Sequence, residues 1–431
     1  MLRFVRYPGE RLLLVIGVVI LTMTTPQLWQ LSGSGLQGLI TFLGRLAGVA
    51  ALVSLLTAAS LAIRLPGLDR WFGGLPRIWT LHRALGFWGL VLTLLHVALL
   101  ALAAYAHHPQ VMLTTLYPPV NEWSIWAGWA ALLLLAIFLA PTLQFFGPPK
   151  DYQRWKTLHR LSAPMLILAL AHGLALSPFI SLWSALGLMT AGALLWRFLF
   201  SKRWACKAWE VASVTQLADD VVELELRPLV SPLRFEQGQF VYLTPKSPQL
   251  AAGTHEEHPF TISSAPAEKN LRLGIKALGD ASTALQSISP GAQVTIEGPY
   301  GTLFERRAPD RKQLWFGGGI GITPFVSAAR QGGSANAGSH LIYLADRPER
   351  AYYLPVLEAL NKDNGNLQLT CHYFQQQGPL TSAFLETHCP DFRAREIYVC
   401  GPPAMNNHLV GLLKANGVPA ELIHTEAFDF L

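Results

Sequence analysis

Residues 78–104 read IWTLHRALGFWGLVLTLLHVALLALAA, and residues 155–177 read WKTLHRLSAPMLILALAHGLALS. Each is an apolar run long enough to cross a bilayer, and each holds two histidines, His82 and His96 in the first, His159 and His172 in the second. Polar side chains are costly in lipid and usually mark function. At about 1.5 Å per residue, steps of 14 and 13 residues separate the two histidines of each run by about 20 Å, one to each leaflet.

Four further apolar runs, about 12–28, 39–63, 123–145 and 180–200, bring the expected spans to six. The first can also be read as a signal peptide, but no small-residue cleavage site follows Thr25 and another span comes next. With 51% hydrophobic and 14% charged residues over 431 positions, the chain is too apolar to lack a membrane portion. Lys and Arg gather at Arg3, Arg6 and Arg11, at Arg64, Arg70 and Arg77, at Lys150, Arg154 and Lys156, and at Lys202 and Arg203, whereas Thr24–Gly38, Tyr105–Glu122 and Leu176–Ser181 have none. The basic segments and both termini are therefore expected on the cytoplasmic side of an inner or plasma membrane. The net charge of +6 belongs to membrane edges, so no nucleic-acid partner is expected. Cys206, Cys371, Cys389 and Cys400 all fall on the reducing side without a CxxC, and no disulfide is expected.

That orientation puts His82 level with His159 and His96 level with His172. Two bis-histidine sites stacked across the bilayer suit iron porphyrins, noncovalent and hence of b type because no CxxCH occurs. Iron with both axial positions filled relays electrons rather than binding a substrate. The competing reading of any one histidine is an interhelical hydrogen bond; four at paired depths weigh against it. At 100° per residue a 13-residue step misses its starting face by about 140°, so a straight fifth helix fits poorly and Pro164 is placed to kink or rewind it. Leu81-His82-Arg83 and Leu158-His159-Arg160 repeat one tripeptide, whose arginine serves either an inner propionate or ordinary membrane anchoring. Arg45 lies inside the second span near the outer level and needs an anion, a propionate or a reduced acceptor, unless it snorkels.

Past Cys206 the pattern turns to short alternating strands, such as Val221–Leu226 and Phe240–Leu243, that read as a small antiparallel barrel. His258-Pro259-Phe260-Thr261-Ile262-Ser263-Ser264 sets a polar group, an aromatic face and hydroxyls in one strand, a set that suits a flavin's ribityl chain and ring edge. Leu273–Lys276 reads as a strand, and Gly279–Thr283 as a turn opening a helix whose amides suit pyrophosphate. Leu314-Trp315-Phe316 leads into Gly317-Gly318-Gly319-Ile320-Gly321-Ile322-Thr323-Pro324, a strand, a glycine loop and a helix start of the kind that cradles a dinucleotide phosphate. His340–Leu344 and Ile397–Cys400, the latter leading into Gly401-Pro402-Pro403-Ala404-Met405, complete an α/β nucleotide domain, with Cys400 at a strand's C-terminal end where nicotinamide reaches.

The order HPFTISS, GPYG, GGGIGITPF, CGPPAM resembles the ferredoxin-NADP reductase superfamily. Joined to the paired membrane histidines, the whole chain resembles the NADPH oxidase and ferric reductase family. The resemblance implies FAD held by His258, Pro259, Phe260, Thr261, Ser264 and the Lys276–Thr283 segment. It implies a nicotinamide nucleotide held by Gly318, Gly319, Ile320, Gly321 and Thr323, with Gly401, Pro402 and Cys400 beside it. It implies heme iron on His82, His96, His159 and His172, and an aromatic over the flavin, Phe428 or else Phe430. Ala345-Asp346-Arg347 contains both an acid for a ribose hydroxyl and a base for a 2′-phosphate; the reading leans to NADPH, with NADH open.

The expected architecture is a six-helix transmembrane heme bundle over 1–203, an antiparallel β-barrel FAD domain over 204–308 and a Rossmann-like α/β nucleotide domain over 309–431. The expected activity carries electrons from NADPH through FAD and two b hemes to oxygen on the outer side, giving superoxide. The alternatives are a ferric or other metal-chelate reductase, and a membrane subunit feeding a periplasmic or membrane protein. Animal oxidases of the family often place a further histidine where this chain has Leu100, which weakens oxygen as acceptor. His107 and His108 suit a metal or simply an exposed outer loop, and without an EF-hand calcium gating is not expected.

Overall fold

A segment in lipid finds no water for its backbone, so each apolar run must close its own hydrogen bonds as a helix. Six helical segments among the described residues are long and apolar enough to cross a membrane: Pro8–Leu31, Gly35–Leu61, Leu75–His107, Trp123–Thr142, Trp155–Leu176 and Ile180–Phe200. The computed structural model describes residues 6–65, 67–142, 152–305, 311–333, 338–364 and 367–426. It divides into two units, Met1–Arg64 with Arg77–Leu199, and Leu65–Pro76 with Phe200–Leu431.

The first unit contains α1 (Pro8–Leu31), α2 (Gly35–Leu61), α3 (Leu75–His107), α4 (Pro109–Leu116), α5 (Trp123–Leu139), α6 (Tyr152–His159), α7 (Ser162–Leu176) and α8 (Ile180–Leu195). Helix α2 is the most enclosed span; its Leu52, Leu55 and Leu56 pack with Leu135, Phe138, Leu166 and Trp183. The Ser60 and Thr190 hydroxyls, 3.2 Å apart, join α2 to α8. The fifth span is broken, as the 13-residue spacing requires, but upstream of Pro164. Proline has no N–H, and its ring clashes with the carbonyl four residues back, that of Arg160. The chain answers with tight i→i+3 bonds from Arg160, Leu161 and Ala163 amides to Thr157, Leu158 and Arg160 carbonyls. This rewinding separates α6 from α7 and re-aims His172 relative to His159.

In the second unit β1 (Cys206–Ala218), β2 (Val221–Pro228), β3 (Phe240–Pro245), β4 (His258–Thr261), β5 (Leu271–Lys276) and β6 (Gln293–Tyr300) form an antiparallel sheet ordered β4-β3-β6-β1-β2-β5. A bridge from Ile262 to Leu273 joins its two ends and curls it on itself. Alternate residues, among them Trp209, Val211, Leu224, Val241, Leu273 and Ile296, fill the interior. A parallel sheet follows, ordered β11-β10-β7-β8-β9, from β7 (Gln313–Gly318), β8 (Ser339–Ala345), β9 (Leu367–Tyr373), β10 (Glu396–Cys400) and β11 (Ile423–Glu426). The short helices α9 (Ser201–Trp204) and α10 (Asp280–Ala284) accompany the barrel; α11 (Thr323–Gln331), α12 (Leu354–Asn364), α13 (Phe374–Gln377), α14 (Ser382–His388) and α15 (Pro403–Ala415) accompany the parallel sheet. Helices cover both faces of that sheet. Trp315, Tyr343 and Tyr398 pack with Phe325 and Leu357 on one side, and Phe316, Ile342 and Val399 with Leu385 and Leu409 on the other, so the middles of the central strands are apolar on both faces.

A buried ion pair fastens the barrel to the nucleotide domain. Arg330 of α11 donates two bonds of 2.9 Å to the Glu223 carboxylate of β2, and Ser263 (2.6 Å) and Tyr353 (3.0 Å) hydroxyls also donate to it. Burial works to raise the pKa of Glu223, but the Arg330 bonds and charge outweigh it and hold the carboxyl below its usual range. Both side chains are 9% exposed. Glu223→Ala, which leaves Arg330 buried and unpaired, is expected to cost roughly 3–5 kcal/mol in chemical denaturation; a cost under about 1 kcal/mol would show that the pair does not fasten the domains.

Candidate functional site

The structure brings the four membrane histidines together as two couples. Ring centres of His82 and His159 are 6.0 Å apart and those of His96 and His172 are 6.3 Å apart. Two imidazoles on opposite sides of one metal, each bonded at about 2 Å, have centres about 6 Å apart. Each couple joins α3 to the α6–α7 span. The orientation of the rings is set by neighbours. A carbonyl only accepts, so Nδ1–H of His96 donates to Gly44 (2.8 Å), that of His172 to Ser124 (2.8 Å) and that of His82 to Ala58 (2.7 Å). This fixes a tautomer whose unprotonated Nε2 is free to ligate, the usual second shell of a metal-bound histidine. His159 differs: its Nδ1 has no partner among the described residues, and Trp155 and Phe138 enclose its ring.

No cluster of three or more metal-binding side chains occurs among the described residues. A site with two protein ligands fits an iron whose other four positions come from a macrocycle, so the residues present fit heme. Sequence reasoning missed the supporting shell. An added Cβ at Gly48 would stand 2.7 Å from His96 Nδ1, and one at Gly128 the same distance from His172 Nδ1. Gly44 and Gly48 on α2, like Ser124 and Gly128 on α5, are spaced one turn apart, and that small-residue spacing was the available signal.

Arg45 donates to the Leu31 carbonyl at the end of α1 (2.7 Å), so its placed partner is a helix terminus. His108 accepts from the Gln110 amide (3.2 Å) and caps α4.

In the second unit the parallel sheet reverses its order between β7 and β10, the switch point where open α/β sheets bind ligands. Glycine is required where the two strand ends meet. A Cβ on Gly321 would lie 2.6 Å from the Cys400 carbonyl, and one on Gly318 would lie inside Met405, while Gly319 adopts φ +57°. Gly318, Gly319, Ile320, Gly321 and Thr323 at the end of β7 and start of α11 thus meet Cys400, Gly401 and Pro402 at the end of β10, at this switch point. Cys400 is fully buried, and burial followed by the charge of Glu426 drives its thiol well above the ordinary range. A cavity of about 380 Å³ opens beside Met405, lined by Phe374, Gly378, Pro379, Leu380 and His408, none of which the sequence singled out.

The flavin candidates lie on β4 and β5. Thr261 is buried, while His258, Pro259 and Phe260 are partly exposed, His258 lying 3.3 Å from Glu256. Ser264 is taken up in packing: its carbonyl accepts from Ser327 and its hydroxyl from the Arg272 amide. Lys276 lies over the Tyr352 ring, and Thr283 sits in the single-turn helix α10. Phe428 and Phe430 fall outside the described residues.

Three family models match in succession: a ferric reductase like transmembrane component over residues 47–170, an FAD-binding domain over 206–303 and an oxidoreductase NAD-binding domain over 316–410. The reductase subunit of glycine betaine monooxygenase from Pseudomonas aeruginosa is 29% identical over 237 residues, 52% of this chain and 61% of that protein, so the match spans less than two thirds of the relative. Dual oxidase 1 of Caenorhabditis elegans is 25% identical over 228 residues, 49% of this chain and 15% of its own. Among solved structures, the FAD/NAD-binding domain of nitric oxide dioxygenase from Vibrio cholerae aligns with 52% of this chain and 98% of its own at TM-score 0.46 and 21% identity. The transmembrane, FAD-binding and NAD-binding matches, consecutive in one chain with six membrane-length helices, make it a membrane oxidoreductase that joins a ferric reductase like transmembrane component to ferredoxin-NADP reductase-like domains, the domain combination of the NADPH oxidase and ferric reductase family.

Proposed function

We propose that the chain takes electrons from NADPH on the cytoplasmic side and delivers them singly across an inner or plasma membrane to oxygen, by way of FAD and two b-type hemes. The observation that carries this reading is the pair of histidine couples on α3 and α6–α7. The balance is NADPH + 2 O2 → NADP+ + H+ + 2 superoxide. Bound FAD supplies the conversion of a two-electron donor into single electrons, and bound heme supplies the relay.

The protein's own work is holding, orienting and keeping water out. His82 with His159 and His96 with His172 hold iron, and the Gly44, Ala58 and Ser124 carbonyls keep the ring nitrogens turned toward it. His258, Pro259, Phe260 and Thr261, with the Lys276–Thr283 segment, bind the flavin. Gly318–Thr323, Gly401 and Pro402 cradle the nucleotide, with Cys400 beside the nicotinamide and the cavity at Met405 as an apolar slot for adenine. Arg45 anchors the outer end and presents a cation to an outer propionate or a reduced acceptor. The division into 1–203, 204–308 and 309–431 follows this assignment, with both termini cytoplasmic according to the Lys and Arg distribution.

A second reading, reduction of a ferric chelate, is favoured by the description of the family model over residues 47–170. Superoxide dismutase separates the two: dismutase-sensitive reduction of an outer reporter by the purified chain is expected, and wholly insensitive ferric reduction would reject oxygen. His96→Leu is expected to cut delivery to a membrane-impermeant acceptor about tenfold or more while NADPH-driven reduction of a dye at the reductase continues; undiminished delivery would remove the outer couple from the path. Arg347, exposed beside Asp346 at the end of β8 and 3.6 Å from Glu349, is the cation for the 2′-phosphate. Arg347→Ala is expected to raise KM for NADPH about tenfold or more and leave that for NADH unchanged, the loss of one charge-assisted bond; equal effects on both would contradict the assignment.

A further inference from the structure

Two carboxyls, Asp69 and Glu426, are buried close to one glycine. Asp69, in the turn Asp69–Phe72, is 2% exposed, and its Oδ2 accepts from the Gly301 amide at 2.9 Å. Glu426 ends β11 opposite Cys400 and is 6% exposed. Its Oε1 lies 3.2 Å from where a Cβ on Gly301 would stand, and its Oε2 has no hydrogen-bond partner among the described residues. Gly301, at φ +106°, is thus flanked by both groups, and a side chain there would intrude between them. Chain order places Asp69 between α2 and α3, yet its segment Leu65–Pro76 folds with the second unit.

The titratable and charged groups that act on the pair are few: Asp69 and Cys400 face Glu426, and Arg70 lies beside Asp69. Burial, and then the charge of Asp69, raise Glu426 to about 8. Burial also raises Asp69, against the pull of the Gly301 amide and Arg70. Like charges in one site resist double ionisation, so such a pair keeps one proton and contains an acid and a base at once. A dyad of this kind can accept a proton at one carboxyl while releasing one from the other.

Resting on the redox reading above, we propose that Asp69 and Glu426 form a one-proton dyad through which the proton of the NADPH C–H bond leaves the reductase. That bond breaks as NADPH → NADP+ + 2 e− + H+; the electrons go outward to oxygen and the proton stays on the cytoplasmic side. Glu426 is the member beside the nucleotide crevice. Asp69, next to half-exposed Arg70, is the member toward water.

The test uses the full chain in detergent with Glu426→Gln and Asp69→Asn. The infrared band of a protonated carboxylic acid is expected to titrate near 8, to vanish in Glu426→Gln, and to titrate at lower pH in Asp69→Asn because the neighbouring charge is gone. Because the folded value of Glu426 exceeds its unfolded one, its contribution to stability is complete below about 4.5 and is lost as pH rises through about 8. The unfolding temperature should therefore fall across that window, with a flatter slope in Glu426→Gln. NADPH-driven superoxide formation should drop about tenfold or more in both variants. A band that survives Glu426→Gln, or one that titrates in Asp69→Asn where it does in the unsubstituted chain, overturns the dyad. Unslowed turnover in both variants overturns its transport role but leaves the redox reading intact, whereas failure of the unsubstituted chain to make superoxide strikes at that reading alone.

Discussion

An imidazole in lipid has an N–H to satisfy and no water to satisfy it with. In this bundle three of the four rings solve the problem in the same way, by donating Nδ1–H to a backbone carbonyl of a neighbouring helix. A helical carbonyl is already engaged with its own turn, so a second bond demands close approach, and glycine supplies the room at Gly48 and Gly128. That one contact settles the tautomer, turns Nε2 toward the facing ring and requires the helices to sit close together. The apolar packing of α2 against α5, α7 and α8 serves the same end.

The break in the fifth span follows from the same demand. With a 13-residue spacing the two imidazoles of an unbroken helix would face different neighbours. Pro164 removes one amide and obstructs the Arg160 carbonyl, and the tight turn that results brings His159 and His172 each against its partner on α3. In the reductase, close approach is again a matter of glycine. Gly318 and Gly321 let the loops after β7 and β10 touch at the point where the sheet changes direction.

Much of this was legible in the sequence, because the signals were strong and local: apolar runs of membrane length, histidines at fixed depths, and glycine loops at strand ends. The strands Val221–Leu226, Phe240–Leu243 and Ile397–Cys400 lie within observed strands, and six membrane-length helices stand where apolar runs were read. What was not legible depended on contacts distant along the chain. The Gly44 carbonyl that orients His96, the clamp of Arg330 on Glu223, and Asp69 beside Gly301 join residues 52, 107 and 232 positions apart. The break before Pro164 was anticipated, but its place at Arg160–Leu161 depends on which carbonyl the proline ring obstructs.

The central claim is that each histidine couple grips one noncovalent heme. Heme extraction and quantification on the purified chain, read with its reduced-minus-oxidised spectrum, address it directly. The account predicts two b-type hemes per chain, both low-spin in the oxidised form. A chain that folds with one heme or none, or with a high-spin heme that binds ligands at iron, would contradict it.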